Sequence, residues 1–237
     1  MKRTVDGEWK ISIIMPCKNE ENTVGICVDE AMRMLAEHGL DGEVIVVDNG
    51  STDASAKRAS EHGARVVSEE RPGYGSAIRK GLSEAAGDLI VIGDCDTTYD
   101  FMEAYGICEM LSGGYDMVIP DRFAGGIEKG AMPFSHRIGV KVLSFLGRCR
   151  FHTDVRDFHC GLRGLTREAV DKIKLHTDGM EFATEMIAEG TRCGLKIGQM
   201  PVTLGTCRGL RSSKLRTLRD GFRHLAYIFK TTSRQRR

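Results

Sequence analysis

Residues Gly87 to Phe101 read GDLIVIGDCDTTYDF, an apolar run that stops abruptly on Asp94-Cys95-Asp96. Leu89, Ile90, Val91 and Ile92 show no polar alternation, the pattern of a strand buried on both faces, and such strands belong to parallel sheets. In open α/β sheets ligands collect at the carboxyl ends of the strands. Two carboxylates one residue apart at that edge suit a hard divalent cation together with a phosphate. A turn rich in Asp and Thr is the competing reading of a lone D-x-D, and the rest of the chain has to decide between them.

Upstream the pattern repeats. Lys10–Met15 (KISIIM) and Glu43–Val47 (EVIVV) are two more buried strands, and Ala64–Val67 is a short third. Between them lie a helix to about Glu37, capped by Asn19 or Asn22 and burying Val24, Val28, Ala31 and Leu35 at helical spacing, and a second over Ala54–His62. A helix from about Ser76 to Ala86 leads into the central strand. The order β-α-β-α-β-α-β with right-handed crossovers predicts a doubly wound, mostly parallel α/β sheet of the nucleotide-binding type. Downstream, helices are expected over Phe101–Leu111, Ser135–Leu146, Thr166–Ile173 and Glu181–Thr191. Strands are expected over Tyr115–Ile119, Gly161–Leu165 and Lys196–Thr203. The glycine-rich segment Phe123–Pro133 is long enough to be either mobile or functional.

At 237 residues, 41% hydrophobic and 28% charged, the chain suits one globular domain with appendages. No run of eighteen apolar residues offers a membrane span. The start, MKRTVDGEWK, has no apolar signal core, which argues for a cytosolic protein. The eight cysteines form no C-x-x-C, and His152, His159 and Cys160 fit no zinc template, so no zinc is expected. The net charge of +1 hides an asymmetry, because Arg208–Arg237 carries ten Lys or Arg against the single acid Asp220. A tail of that kind prefers anionic partners. On a helix from Leu215, residues Leu218, Phe222, Leu225 and Phe229 make one apolar stripe beside Arg216, Arg219, Arg223 and Lys230. That is the pattern of an interfacial helix on an anionic membrane, and equally of a helix packed on the domain with a solvated basic flank. No aromatic platform accompanies the charge, which excludes nucleic acid as the main partner.

Other candidates cluster at the predicted strand ends. Asp48-Asn-Gly-Ser-Thr-Asp53 presents a carboxylate able to accept nucleobase protons, and the same residues also satisfy an Asx turn. Gly73-Tyr-Gly75 stands at a helix start, where backbone amides favour anions, yet it matches neither a Walker loop nor a dinucleotide fingerprint. Arg71, Arg122, Lys129, Arg137, Arg156, Arg163, Arg211 and Lys214 lie in loops around the expected pocket, where a bound diphosphate needs a few of them.

Taken in order, ISIIMPCKNEE, EVIVVDNGSTD, RPGYGSAIRKG and DLIVIGDCDTTYDF, followed by DRF, HRIG, DFHCGLRGL, GMEFATEM and RSSKLRTLRDG, resemble the family 2 glycosyltransferases of GT-A fold. The likeness is strongest to the branch of dolichyl- and polyprenyl-phosphate mannosyl- and glucosyltransferases, and it runs from about Lys10 to Phe229. The resemblance implies a GT-A domain over 1–207 and a basic tail over 208–237 suited to a membrane interface. It assigns Pro16, Glu20, Asp48 and Gly73 to the nucleotide and donor pocket, and Asp94 and Asp96 to Mg2+ or Mn2+ bridging the donor diphosphate. It gives Arg122 and Arg137 to donor or acceptor phosphates, and Ser213 and Lys214 to an element closing over the site. Many members of that branch continue into transmembrane helices, which this sequence does not contain.

The implied activity is an inverting, metal-dependent transfer of a sugar from a nucleotide sugar to polyprenyl phosphate, at the inner face of the cell membrane. A phosphate acceptor attacks unaided. A hydroxyl acceptor would need a base, for which Asp157, Glu181 and Glu185 are the candidates. The alternatives are a soluble transferase acting on a sugar or metabolite hydroxyl, and an inactive nucleotide-sugar-binding scaffold.

Overall fold

The computed structural model describes residues 9–207 and 217–230, with 217–220 described by backbone alone. The chain runs β1 (Ile11–Cys17), α1 (Val24–Glu37), β2 (Gly42–Asp48), α2 (Ser55–Glu61), β3 (Arg65–Ser68), α3 (Tyr74–Glu84) and β4 (Leu89–Ile92). A 3-10 turn at Phe101–Glu103 opens α4 (Ala104–Ser112), followed by β5 (Met117–Val118), α5 (Arg122–Gly125) and α6 (Phe134–Phe151). Then come β6 (Arg163–Thr166), α7 (Arg167–Lys172), α8 (Phe182–Arg192), β7 (Ile197–Gly198) and α9 (Thr217–Lys230). These strands form one seven-stranded sheet in the order β3-β2-β1-β4-β6-β5-β7. As expected, it is mostly parallel and covered by helices on both faces. The sheet's two sides explain the continuous apolar strands. Ile11, Ile13 and Met15 of β1 pack with α1 and α4 on one face, and Ile14 packs with Ile45, Ile90, Ile78 and Phe182 on the other. Gly81 lets α3 sit close on the sheet, since a Cβ there would overlap Ile14.

The exception to parallel order is β6, which runs antiparallel to both β4 and β5. Its start therefore lies beside the carboxyl ends of its two neighbours, and the loop before it enters the site.

Several expected elements differ in extent, among them the strand expected over Tyr115–Ile119, of which only Met117–Val118 forms. The last strand is reduced to Ile197–Gly198, because Pro201 has no amide to give. It continues only as isolated bridges from Pro201 to Asp121 and from Leu204 to Ile127. Those bridges hold the glycine-rich segment, where Leu204 donates its amide to Gly126 O at 2.9 Å. Helix α6 runs past Leu146 to Phe151 because Gly147 is no breaker here: a Cβ would come within 2.6 Å of the Phe158 ring. Neither Asn19 nor Asn22 caps α1. Thr23 occupies that position, and the Asn19 side chain instead accepts the Thr52 amide at 2.7 Å, tying the β1 and β2 loops together.

Helix α9 packs on α6 and α8 through the buried His224 and Ile228. His224 Nδ1 pairs with Thr184 Oγ1 at 2.8 Å, and its ring meets that of His159 edge-on at 4.4 Å. Burial and the charge of Arg163 push the His224 imidazole down to about 4. An unfolded histidine titrates near 6.5, so the unfolded chain binds the extra proton between these values and stability falls as pH falls through that window. We expect denaturant titrations at about pH 7 and about pH 5 to show a loss of about 2 kcal/mol from this residue. His224→Gln removes that share of the pH slope.

Candidate active site

The site is built at the carboxyl edge of β1, β2 and β4. Pro16 and Asp48 end their strands there, and Asp94 and Asp96 follow β4 directly. Cys95 Sγ donates to Pro16 O at 3.3 Å, pinning the D-x-D turn to the end of β1. Glu20 lies in the next loop, its amide donating to Ser55 Oγ at 2.6 Å. Asp48 Oδ1 accepts the Ser51 amide at 3.2 Å, so the turn geometry is satisfied by the same residue that faces the edge.

The two carboxylates of the D-x-D differ. Asp96 is partly exposed, and its Oδ1 accepts the Thr98 amide at 3.0 Å and the Thr98 hydroxyl at 2.6 Å, which fixes its orientation. Asp94 is enclosed. A Cβ on Gly161 would overlap its Oδ2, so glycine is what admits this carboxylate. Burial, reinforced by the negative charge of Asp96, pushes Asp94 up to about 7, against a hydrogen bond from Tyr74 that favours the ionised form. Such a pair is short of positive charge, and a divalent cation relieves that shortage. Among the described residues no group of three His, Cys, Asp or Glu forms a metal cage. Two carboxylates with the remaining positions open suit a cation shared with phosphate oxygens better than a structural metal.

Arg122 and Asp157, both buried, face each other across the start of β6. Their contacts are bidentate, with Nε to Oδ2 at 2.6 Å and Nη2 to Oδ1 at 2.8 Å. Arg137 sits in the first turn of α6 and donates to Met132 O at 3.2 Å. Tyr99 accepts the Gly161 amide on its hydroxyl at 2.8 Å, locking the segment beside Asp94.

The three candidate bases are placed differently. Asp157 is committed to Arg122. Glu185 accepts the His176 amide at 3.0 Å, the Thr177 amide at 2.9 Å and the Thr177 hydroxyl at 2.6 Å, and so holds the loop before α8. Glu181 keeps one buried oxygen, Oε2, without a hydrogen bond among the described residues, 4.0 Å from Arg223. Gly73 donates its amide to Asn49 Oδ1 at 2.7 Å. The Gly75 and Ser76 amides, at 2.8 and 3.4 Å, both go to Asp178 O, so the start of α3 is closed by protein. Arg163 is a strut rather than a phosphate ligand: its guanidinium is buried on the carbonyls of Cys160, Phe158 and Ala183. Arg211, Ser213 and Lys214 lie outside the described residues.

Three contributors were not singled out from sequence. Tyr74 and Gly161 shape the Asp94 niche. Asn49 organises the Arg71–Gly73 loop by also donating to Glu69 O and Arg71 O, at 2.9 and 2.7 Å. The Asn after the β2 carboxylate was the available signal for the last of these. The other two depend on contacts across the sheet.

Residues 12–174 match the model of glycosyl transferase family 2. The low-salt glycan biosynthesis hexosyltransferase Agl6 of Haloferax volcanii is 34% identical over 92% of this chain and 52% of its own. The chain thus spans about half the length of that relative. A dolichol-phosphate mannosyltransferase of Pyrococcus furiosus is 27% identical over 93% of this chain and 64% of its own. Among solved structures, a glucosyl-3-phosphoglycerate synthase of Mycobacterium tuberculosis, in complex with Mn2+, uridine-diphosphate-glucose and phosphoglyceric acid, superposes with a TM-score of 0.73. It is 26% identical over 93% of this chain and 80% of that one. With the D-x-D pair, the strand-end carboxylates and the mixed sheet all in place, the chain belongs to glycosyl transferase family 2, with the GT-A fold.

Proposed function

We propose that this chain transfers a hexose from a nucleotide sugar to a polyprenyl phosphate by a single, inverting displacement that depends on Mg2+ or Mn2+. The observation that carries the acceptor is that two of the three candidate bases are spent, Asp157 on Arg122 and Glu185 on the His176–Thr177 backbone, which leaves Glu181 as the candidate still open among the described residues. An acceptor hydroxyl needs a base, whereas a phosphate monoester, with a second pKa of about 6, is already ionised near neutral pH. The name of the Pyrococcus relative, which carries dolichol phosphate, supports the same reading.

In this reading Pro16, Glu20 and Asp48 receive the base and ribose at the β1 and β2 ends, and Asp94 and Asp96 hold the cation. Bound there, the cation neutralises charge on the departing nucleoside diphosphate. Arg137 and Lys214 supply oriented positive charge to the phosphates, and Ser213 beside Lys214 a neutral hydroxyl donor. Arg122, locked to Asp157, contributes its field and shape rather than a mobile contact. A phosphate oxygen of the acceptor attacks the anomeric carbon as the bond to the diphosphate oxygen breaks, and no proton has to move.

The phosphoglyceric acid complex of the mycobacterial synthase favours a second reading, a small phosphorylated acceptor attacking through a hydroxyl, with Glu181 as base. A transfer assay separates the two. UDP-glucose, UDP-N-acetylglucosamine and GDP-mannose are offered in turn with Mn2+ or Mg2+, with undecaprenyl phosphate in detergent or with phosphoglyceric acid. Product that forms only with the lipid phosphate, and survives Glu181→Gln, is the expected result. Transfer to phosphoglyceric acid that Glu181→Gln abolishes would replace the first reading with the second.

A further inference from the structure

Six large apolar side chains stand in solvent on two neighbouring helices: Phe134, Ile138, Val142 and Phe145 on α6, and Phe222 and Phe229 on α9. On α6 they recur at steps of four and three, one continuous ridge. At 100° per residue it lies opposite the helix's buried face of Val140, Ser144 and Gly147. Phe222 and Phe229 likewise fall opposite the buried His224 and Ile228 of α9. With a rise of about 1.5 Å per residue the α6 ridge is on the order of 17 Å long. Contiguous exposed apolar surface of this kind marks an interaction site.

The charges beside the ridge say what it meets. Besides Arg137, which belongs to the site, helix α6 carries Lys141, Arg148 and Arg150 and no Asp or Glu, and α9 adds Arg223 and Lys230. A second copy docking through the same face would set basic surface against basic surface, as a two-fold contact requires. An anionic lipid surface is complementary on both counts: the ridge enters the acyl boundary while the long basic side chains reach the headgroups. Arg148 already lies along Phe145, its guanidinium 5.9 Å from the ring centre. Among the described residues no helix is long and apolar enough to cross a membrane, so this face would lie on the bilayer. We propose that the α6 ridge, flanked by α9, docks the protein on an anionic bilayer. The proposal deepens the lipid-phosphate reading by naming the surface from which that acceptor would be taken.

The test uses the full chain and vesicles containing neither donor nor polyprenyl phosphate, so it does not depend on the acceptor. Co-sedimentation is measured with phosphatidylcholine vesicles, with and without phosphatidylglycerol. We expect binding to the anionic vesicles alone, weakened by added salt. Ile138→Ser with Phe145→Ser should lower the partition constant roughly tenfold or more, with an unchanged melting curve. Unchanged partitioning in that variant, or no partitioning of the parent chain, would overturn the proposal. So would a concentration-dependent doubling of mass that the same substitutions abolish, because it would give the face to a second copy.

Discussion

Asp96→Ala is expected to lower sugar transfer on the order of 10³-fold, the several kcal/mol that charge neutralisation at a leaving diphosphate supplies. The fold should survive, because Asp96 is partly exposed and its bonds are to Thr98 in its own turn. The decisive measurement is donor binding by calorimetry with and without Mn2+. The parent chain is expected to bind more tightly with the metal, and the variant to lose that difference. If donor affinity in the variant still rises with metal as it does in the parent, Asp96 is not a ligand and the proposed use of the pair is wrong. Asp94→Asn tests the other half. Its niche against Gly161 and Tyr74 accepts a side chain of the same size, so a loss of metal response there would come from charge rather than from packing.

The second large effect concerns stability. Asp157→Ala leaves the buried guanidinium of Arg122 without its bidentate partner, and an uncompensated buried charge costs about 3–5 kcal/mol. For a chain of this size that is a fall in melting temperature on the order of 10 °C. Arg122→Met should cost a similar amount, and Arg122→Met with Asp157→Leu should regain much of it, since a packed apolar pair replaces two desolvated charges. A double variant that is stable and inactive would place the pair's contribution in its field on the site. One that is no more stable than either single variant would show that the ion pair is not what holds the β6 start in place.

The parallel half of the fold was readable because its strands are buried on both faces. Val44–Val47 and Leu89–Ile92 carry unbroken apolar runs that a half-exposed strand would not, and Ile11–Met15 is broken only by Ser12, whose buried hydroxyl donates to Glu43. The D-x-D was readable for the same reason, as the first polar residues after such a run. What could not be read depends on partners distant in the chain. Arg163 looks like a loop cation until the carbonyls of Phe158, Cys160 and Ala183 are seen to close around it. Glu185 lies in a segment suggestive of a base, and only the fold shows that its oxygens are spent on His176 and Thr177. The α6 ridge was hidden differently. An apolar stripe at helical spacing is ordinarily a buried face, and here the smaller Val140, Ser144 and Gly147 face the protein while Phe134 and Phe145 face outward.

The antiparallel placement of β6 also bears on how the molecule comes to exist. Strands β1 to β4 pair in register as successive crossover units, and all four precede Asp94 in the chain. Only when the stretch from Asp157 to Thr166 emerges and β6 slots beside β4 does Gly161 close over Asp94. Pairing between segments so far apart in the chain is slow, because the intervening loop must be closed before any contact rewards it. A nascent chain would therefore complete the niche around Asp94 later than the parallel strands at whose edge that residue stands.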